Sequence, residues 1–245
     1  MCASERELGL GDSHEGIILL RDYGFTPQEY KALKPGDDAM HLLHLDQPIL
    51  EINITPDRGY AFSYRGVARE YHHSTGAKFV DPVTELNKRA PAAPAAESGV
   101  SSDIEVIVDD NNPIHGVTGC DRYVARAIHG FDPTNHTPNW MRRRLIRAGM
   151  RSISLAVDVT NYVMLDLGQP MHAYDLDKIE GPIVVRRAAE GEKLTTLDGK
   201  EHDLSVEDLL ITDSPDGKRG SRILGIAGVM GGLYGEVTAD TKNIL

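Results

Sequence analysis

The chain has 245 residues but only two cysteines, Cys2 and Cys120, a single tryptophan and 6% aromatic residues. Neither cysteine belongs to a Cys-x-x-Cys pair, which excludes a disulfide-stapled scaffold and a cysteine-rich zinc site and fits a reducing cytoplasm. No stretch approaches 18 consecutive apolar residues, and the first residues lack a basic start followed by an apolar run. No membrane span and no export signal are therefore expected. Positive charge is also scarce: the net charge is −11, so any contact with RNA must be local rather than a product of overall charge. The remainder is ordinary globular composition, 40% hydrophobic and 26% charged, with enough chain for one large domain or two modest ones.

Patterning divides the chain into three parts. Residues 1–55 contain two short alternating runs, EGIILL and PILEINIT, read as strands of a small, incomplete β unit. Between them TPQEYKAL predicts a short helix from Pro27, with Thr26 as cap and an acidic residue in the first turn. Residues 56–102 carry a helix from Tyr64, ended by Gly76, and then RAPAAPAAESGVSSD, whose composition reads as a linker. Residues 103–245 mix strand runs (DIEVIVDD, DRYVARAIHG, GPIVVRRA, EKLTTLDGK, DLLITD, RILGIAG) with a helix in TPNWMRRRLIRAG, where Thr137 is placed to cap and Pro138 to start it. ISLAVDVTNYVML is expected to begin as a strand and turn helical after Asp158. The fold class is α+β, without βαβ alternation or an internal repeat.

The segment 158–175 is the densest in information. Thr160, Asn161, Gln169 and His172 fall in a run that otherwise reads as core. If buried, each needs a hydrogen-bond partner, because an unsatisfied group costs about 1–3 kcal/mol. Such a cluster is either a paired structural network or the lining of a pocket. Gly225-Ile-Ala-Gly-Val-Met-Gly-Gly232 is a second feature, with small residues that allow close backbone approach. It lacks the order of a dinucleotide fingerprint. Arg142, Arg143, Arg144 and Arg147 form a basic cluster on the helix after Thr137, read either as a solvated face or as a phosphate-binding one. Trp140 beside them is read as a core anchor. The histidine pairs His41/His44 and His72/His73 are too sparse for a metal site, and Asp175, Asp177, Asp213 and Asp216 are read as turn residues. No metal is expected.

The run SLAVDVTNYVMLDLGQPMHAYDLDKIEG, residues 154–181, resembles the editing domain of the β-subunit of bacterial phenylalanyl-tRNA synthetases. Residues 1–20, 51–76, 194–204 and 223–232 resemble further segments of that subunit, in its order. The resemblance implies the end of a tRNA-binding oligonucleotide-fold β-barrel over 1–55, a linking helix and Pro/Ala-rich linker over 56–102, and a B3/B4-type editing domain over 103–245.

That resemblance also implies chemistry: hydrolysis of tyrosine wrongly esterified to phenylalanine tRNA. His172, Thr160 and Asn161 match the residues lining the editing pocket, and Ala227 and Gly228 its wall around the amino-acid ring. Arg143, Arg144 and Arg147 are the candidates for tRNA contact. A glutamate that recognises the phenol is expected in a strand beyond Leu245, so the chain is read as a β-subunit fragment. For the parent ligase the resemblance implies ATP and Mg2+, an α-subunit partner in an (αβ)2 assembly, and a cytoplasmic location, with no cofactor held by this chain. The competing reading is a non-catalytic RNA-binding or subunit-interface module that keeps the same scaffold.

Overall fold

A computed structural model describes residues 3–11, 14–20, 25–89, 104–110 and 114–245. Two contact-dense units emerge, and each is discontinuous: residues 1–86 with 134–171, and residues 87–133 with 172–245. This grouping differs from the divisions expected at 55/56 and 102/103. Residues 134–171 pack with the N-terminal part of the chain, a non-local association that composition does not reveal. The linker read over 90–103, like Cys2, lies outside the described residues.

The first unit is helical. Helices α1 (Pro27–Ala32) and α2 (Ala39–Leu42) begin at Thr26 and Asp38, whose side chains accept hydrogen bonds from the backbone N–H of Glu29 and Met40. Glu29 returns the favour to the Thr26 backbone, completing a capping box. Leu10 and Leu43 form a small core with Leu8, Ile18, Leu20, Phe25 and Leu45 packed against it. Among the described residues of 1–55 no strand forms, which corrects the two expected there and leaves the oligonucleotide-fold reading of this part without a ladder. Strand runs become strands only when a partner edge pairs with their backbone. Here Ile49, Leu50 and Ile52 stay 63%, 83% and 51% exposed.

A 3-10 segment (Pro56–Phe62) leads into α3 (Tyr64–Thr75), which is closed by Gly76 as expected and capped by Ser63. Asp81 opens α4 (Pro82–Arg89) by accepting from Val83 N, and its carboxylate is gripped by Arg65 at 2.8 and 2.7 Å. Helix α5 (Asn139–Arg147) buries Met141 and Leu145, one turn apart on one face. Helix α6 (Leu155–Leu167) starts at Ser154 rather than after Asp158, because the Ser154 hydroxyl caps Val157 N before a strand can continue. It ends at Gly168 in the left-handed conformation.

The second unit is built on a five-stranded sheet. Its strands are β1 (Val106–Asp109), β3 (Ile183–Arg187), β6 (Leu209–Asp213), β7 (Arg222–Ile226) and β8 (Met230–Gly231), side by side in that order. β1 and β3 are parallel and the other neighbours antiparallel. Ile183, Ile211 and Leu224 point to one face with Val106, Ala125, Tyr174 and Leu245. Leu210, Ala188, Leu194 and Leu204 cover the other, with Ile223 and Ile226. Adjacent residues of β6 and β7 thus feed opposite cores, as strand geometry requires. β2 (Ile128–His129) pairs with β9 (Asn243–Ile244), and β4 (Lys193–Thr195) with β5 (Glu201–Asp203). The strand expected over 121–130 shrinks to β2, two residues long. The α+β class stands.

Candidate functional site

The polar residues of segment 158–175 have three different fates. Asp158, fully buried, accepts hydrogen bonds from the Thr137 and Ser152 hydroxyls and from Ile153 N at 2.9 Å. Thr137 therefore serves Asp158 and not the helix: the residue at the N-cap of α5 is Pro138, with no side-chain cap. Thr160 is half-buried and donates to Val157 O at 2.8 Å, one turn back in α6. Asn161 is also half-buried, and its amide has no hydrogen-bond partner among the described residues. Gln169 and His172 are exposed, against the expectation that they sit inside, because α6 closes at Gly168 and the chain beyond it runs without regular structure.

Thr160 and Asn161 belong to the first unit; His172, Ala227 and Gly228 belong to the second. Within the second unit His172 has two close neighbours. Its ring lies 4.5 Å from that of Tyr174, centroid to centroid, with the planes tilted by 56°. Its Cε1–Nε2 edge faces the backbone of Gly231 so closely that a Cβ there would come within 2.5 Å of Cε1 and 2.6 Å of Nε2. Tyr174 is buried, its N–H donating to Leu245 O and its carbonyl accepting from Leu245 N, both at 2.9 Å. Its ring is set against Gly235, where a Cβ would lie 2.8 Å from Cδ1.

Protein atoms crowded around the His172 ring disfavour the imidazolium and lower its pKa from 6.5, even though part of the residue stays open to solvent. A neutral imidazole with an accessible edge can accept a proton from water near neutral pH. Burial, together with Tyr123 beside it, pushes the Tyr174 phenol well above its ordinary value, and burial takes Tyr123 to about 12. Both phenols therefore stay protonated.

The glycine run is divided in its work. Gly225, Gly231 and Gly232 permit close packing around β7 and β8, whereas Gly228 is exposed in the connecting turn at φ +71° with open space where a Cβ would stand. Ala227 packs against the first core and donates its N–H to Leu209 O at 2.8 Å. Gly231 falls in the small-residue run marked in the sequence, whereas no separate role is read there for Gly235 or Tyr174. The signal for those two is small: an aromatic two positions after His172 and a glycine three positions beyond the double glycine.

The arginines of α5 are mostly occupied. Arg147 donates to the carbonyls of His44, Gln47 and Pro48 and to the Gln47 side chain, at 2.7–3.0 Å. Arg144 bonds the Tyr162 hydroxyl at 2.6 Å and lies over the rings of Trp140 and Tyr162. Arg142 pairs with Glu5. Arg143 alone of the three candidates makes no hydrogen bond or ion pair among the described residues. Trp140 is 46% exposed and meets Tyr162 edge to face, so it is not the core anchor expected. Asp213 is no turn residue either: it is fully buried on β6 and salt-bridged to Arg222.

Among the described residues no three His, Cys, Asp or Glu side chains converge as a metal site would require, and no helix is long and apolar enough to cross a membrane. Cys120 is a free, half-buried thiol whose pKa burial raises.

A family model described as the B3/4 domain matches residues 119–245, just over half of the chain. The chain belongs to the B3/4 domain family. Along its whole length it is also 81% identical to the phenylalanine-tRNA ligase β-subunit of Bifidobacterium longum and 51% identical to that of Leifsonia xyli. The resemblance noted in the sequence is thereby shown over all 245 residues. The chain spans 28% and 27% of the lengths of these two relatives. Among solved structures, an N-terminal fragment of the phenylalanyl-tRNA synthetase β-subunit from Pyrococcus horikoshii covers the whole chain, and 66% of itself, at 17% identity with a TM-score of 0.42. The B3/4 match begins ahead of α5 and runs through residues of both units.

Proposed function

We propose that this B3/4 chain contributes to phenylalanine-tRNA ligase by hydrolysing tyrosine wrongly esterified to phenylalanine tRNA. The observation that carries the reading is His172: an imidazole biased toward its neutral form, edge-on to a glycine backbone and still accessible, in a chain 81% identical to a ligase β-subunit. In this role His172 orients or activates the water that attacks the ester carbonyl, an effect of about 10²–10⁴-fold for a well-placed general base. Thr160 and Asn161 are proposed to hydrogen-bond the ribose, the ester or that water, and the Asn161 side-chain amide has no hydrogen-bond partner among the described residues. Ala227 and Gly228 are proposed for the ring of the misplaced amino acid.

A second site of this kind has a physical purpose. A hydrophobic pocket shaped for phenylalanine rejects an analogue bearing one more hydroxyl by only about 10², whereas a site built to hydrogen-bond that hydroxyl separates the two by about 10⁴–10⁵. Proposed partners are phenylalanine tRNA, with Arg143 the α5 arginine left for a phosphate, and an α-subunit in an (αβ)2 assembly. ATP and Mg2+ belong to the synthetic reaction of the proposed assembly, in the cytoplasm.

The test is deacylation of tyrosyl-tRNA by a complete ligase carrying this sequence, compared with its His172→Ala variant. The expected outcome is a fall of about 10²-fold or more in the variant. Unchanged hydrolysis would overturn the reading and favour a binding or interface module.

A further inference from the structure

We infer that Gly231 and Tyr174 are positioning residues for His172, one leaving room for its imidazole by having no side chain and the other packing a buried aromatic ring against it. This rests on the reading of His172 as the group that handles the attacking water.

Gly231 cannot give way. It pairs with Gly225 across β7 and β8, and its carbonyl accepts the Leu197 N–H at 3.0 Å. Nor does its backbone demand glycine for conformational reasons, since its φ lies outside the left-handed region. What demands glycine is space. The nearest atoms to an added Cβ are Cε1 and Nε2 of His172, at 2.5 and 2.6 Å, followed by the flexible end of Leu197 at 3.2 Å. Ordinary contact begins near 3.4 Å. An alanine here therefore displaces the ring while the strand stays in place.

Tyr174 is the second neighbour. Its backbone is bonded in both directions to Leu245, and its ring is wedged against Gly235. With centroids 4.5 Å apart, the Tyr174 ring restricts the space into which the imidazole can rotate. The small-residue motif and the aromatic two positions after His172 thus act together on one side chain. A displacement of about 1 Å at a reacting group costs up to roughly 10² in rate.

The experiment compares Gly231→Ala, Tyr174→Phe, Tyr174→Leu, His172→Gln and Gly199→Ala in the complete ligase, measuring kcat, KM and the pH profile of tyrosyl-tRNA hydrolysis together with thermal stability. Gly199 sits in the turn between β4 and β5 at φ +77° with open space around it, so its alanine variant strains the backbone without approaching His172. Gly231→Ala is expected to lower kcat by about 10- to 10²-fold with KM little changed, and to move the acid limb of the profile upward as the ring gains solvent. Tyr174→Phe keeps the ring and the profile; Tyr174→Leu loses both. If His172→Gln abolishes hydrolysis while Gly231→Ala leaves kcat and the acid limb in place, the positioning role is wrong and the catalytic reading survives. Equal losses in Gly231→Ala and Gly199→Ala, with unshifted profiles, would reduce Gly231 to a folding residue and also overturn the inference. Full activity in His172→Gln would instead remove the catalytic reading itself.

Discussion

The hydroxyl of Thr137 donates to the carboxylate of Asp158, joining the residue ahead of α5 to the first turn of α6. Ser152 and the backbone of Ile153 donate to the same group, so one buried carboxylate fixes the entry to α5 and the connection between the two helices. Asp158→Ala leaves these donors without an acceptor. Each such group costs about 1–3 kcal/mol, and a total loss of about 3 kcal/mol or more is expected by urea denaturation. Thr137→Val is expected to lose about 1–2 kcal/mol and to be non-additive with Asp158→Ala. Additive losses would mean that the two residues act independently.

Acid should unfold the chain through carboxylates tied to arginine. Arg65 holds Asp81 at about 2, below its ordinary 3.8, and the Arg187 guanidinium likewise lowers Asp110, whose side chain is fully buried. Because the folded values lie below the unfolded ones, this stabilisation is complete above about pH 4 and is lost as pH falls through the folded values. Unfolding free energy measured from pH 5 to pH 2 should decline steadily. In Asp110→Asn the decline should be shallower from a lower start; a slope equal to that of the parent would contradict the assignment.

Capping chemistry was legible wherever it was local. Thr26 and Gly76 mark helix ends through groups three or four residues apart, and they do so in the structure. The apolar runs of β3 and β6 were legible because both of their faces are buried. The PILEINIT run was not, since strand pairing depends on an edge far away in sequence and none meets it among the described residues. Asp158 was passed over for a similar reason: an acidic residue in a first helical turn looks like a response to the helix dipole, and only packing shows its three donors. His172 stands out by composition and resemblance, but its closeness to Gly231 joins residues separated in sequence by β3, β6 and β7 and has no local signature.

Gly66 gives a packing prediction that runs against helix propensity. It lies inside α3, where alanine would ordinarily gain about 1 kcal/mol. A Cβ at this position, however, would stand 2.0 Å from Tyr60 O and 2.8 Å from Ala61 Cα, both backbone atoms of the preceding 3-10 segment. Gly66→Ala should therefore destabilise by about 1–3 kcal/mol or more, the range of overpacked cores. A neutral or stabilising result in thermal unfolding would show that the segment before α3 yields freely.

His172 also makes a prediction about stability that does not depend on any substrate. Crowding lowers its pKa in the folded state, so the unfolded chain binds the proton more readily around pH 6. Its contribution is fully present above the unfolded value of about 6.5 and is lost as pH falls through the folded value. His44 shifts the same way through burial and then through Arg143, so the two must be separated by substitution. Between pH 8 and pH 5 the parent chain should lose stability, and His172→Gln should lack part of that loss while His44→Gln lacks a different part. If His172→Gln followed the parent curve throughout, the ring would be as well solvated when folded as when unfolded, and the packing of Gly231 and Tyr174 against it would have no energetic consequence.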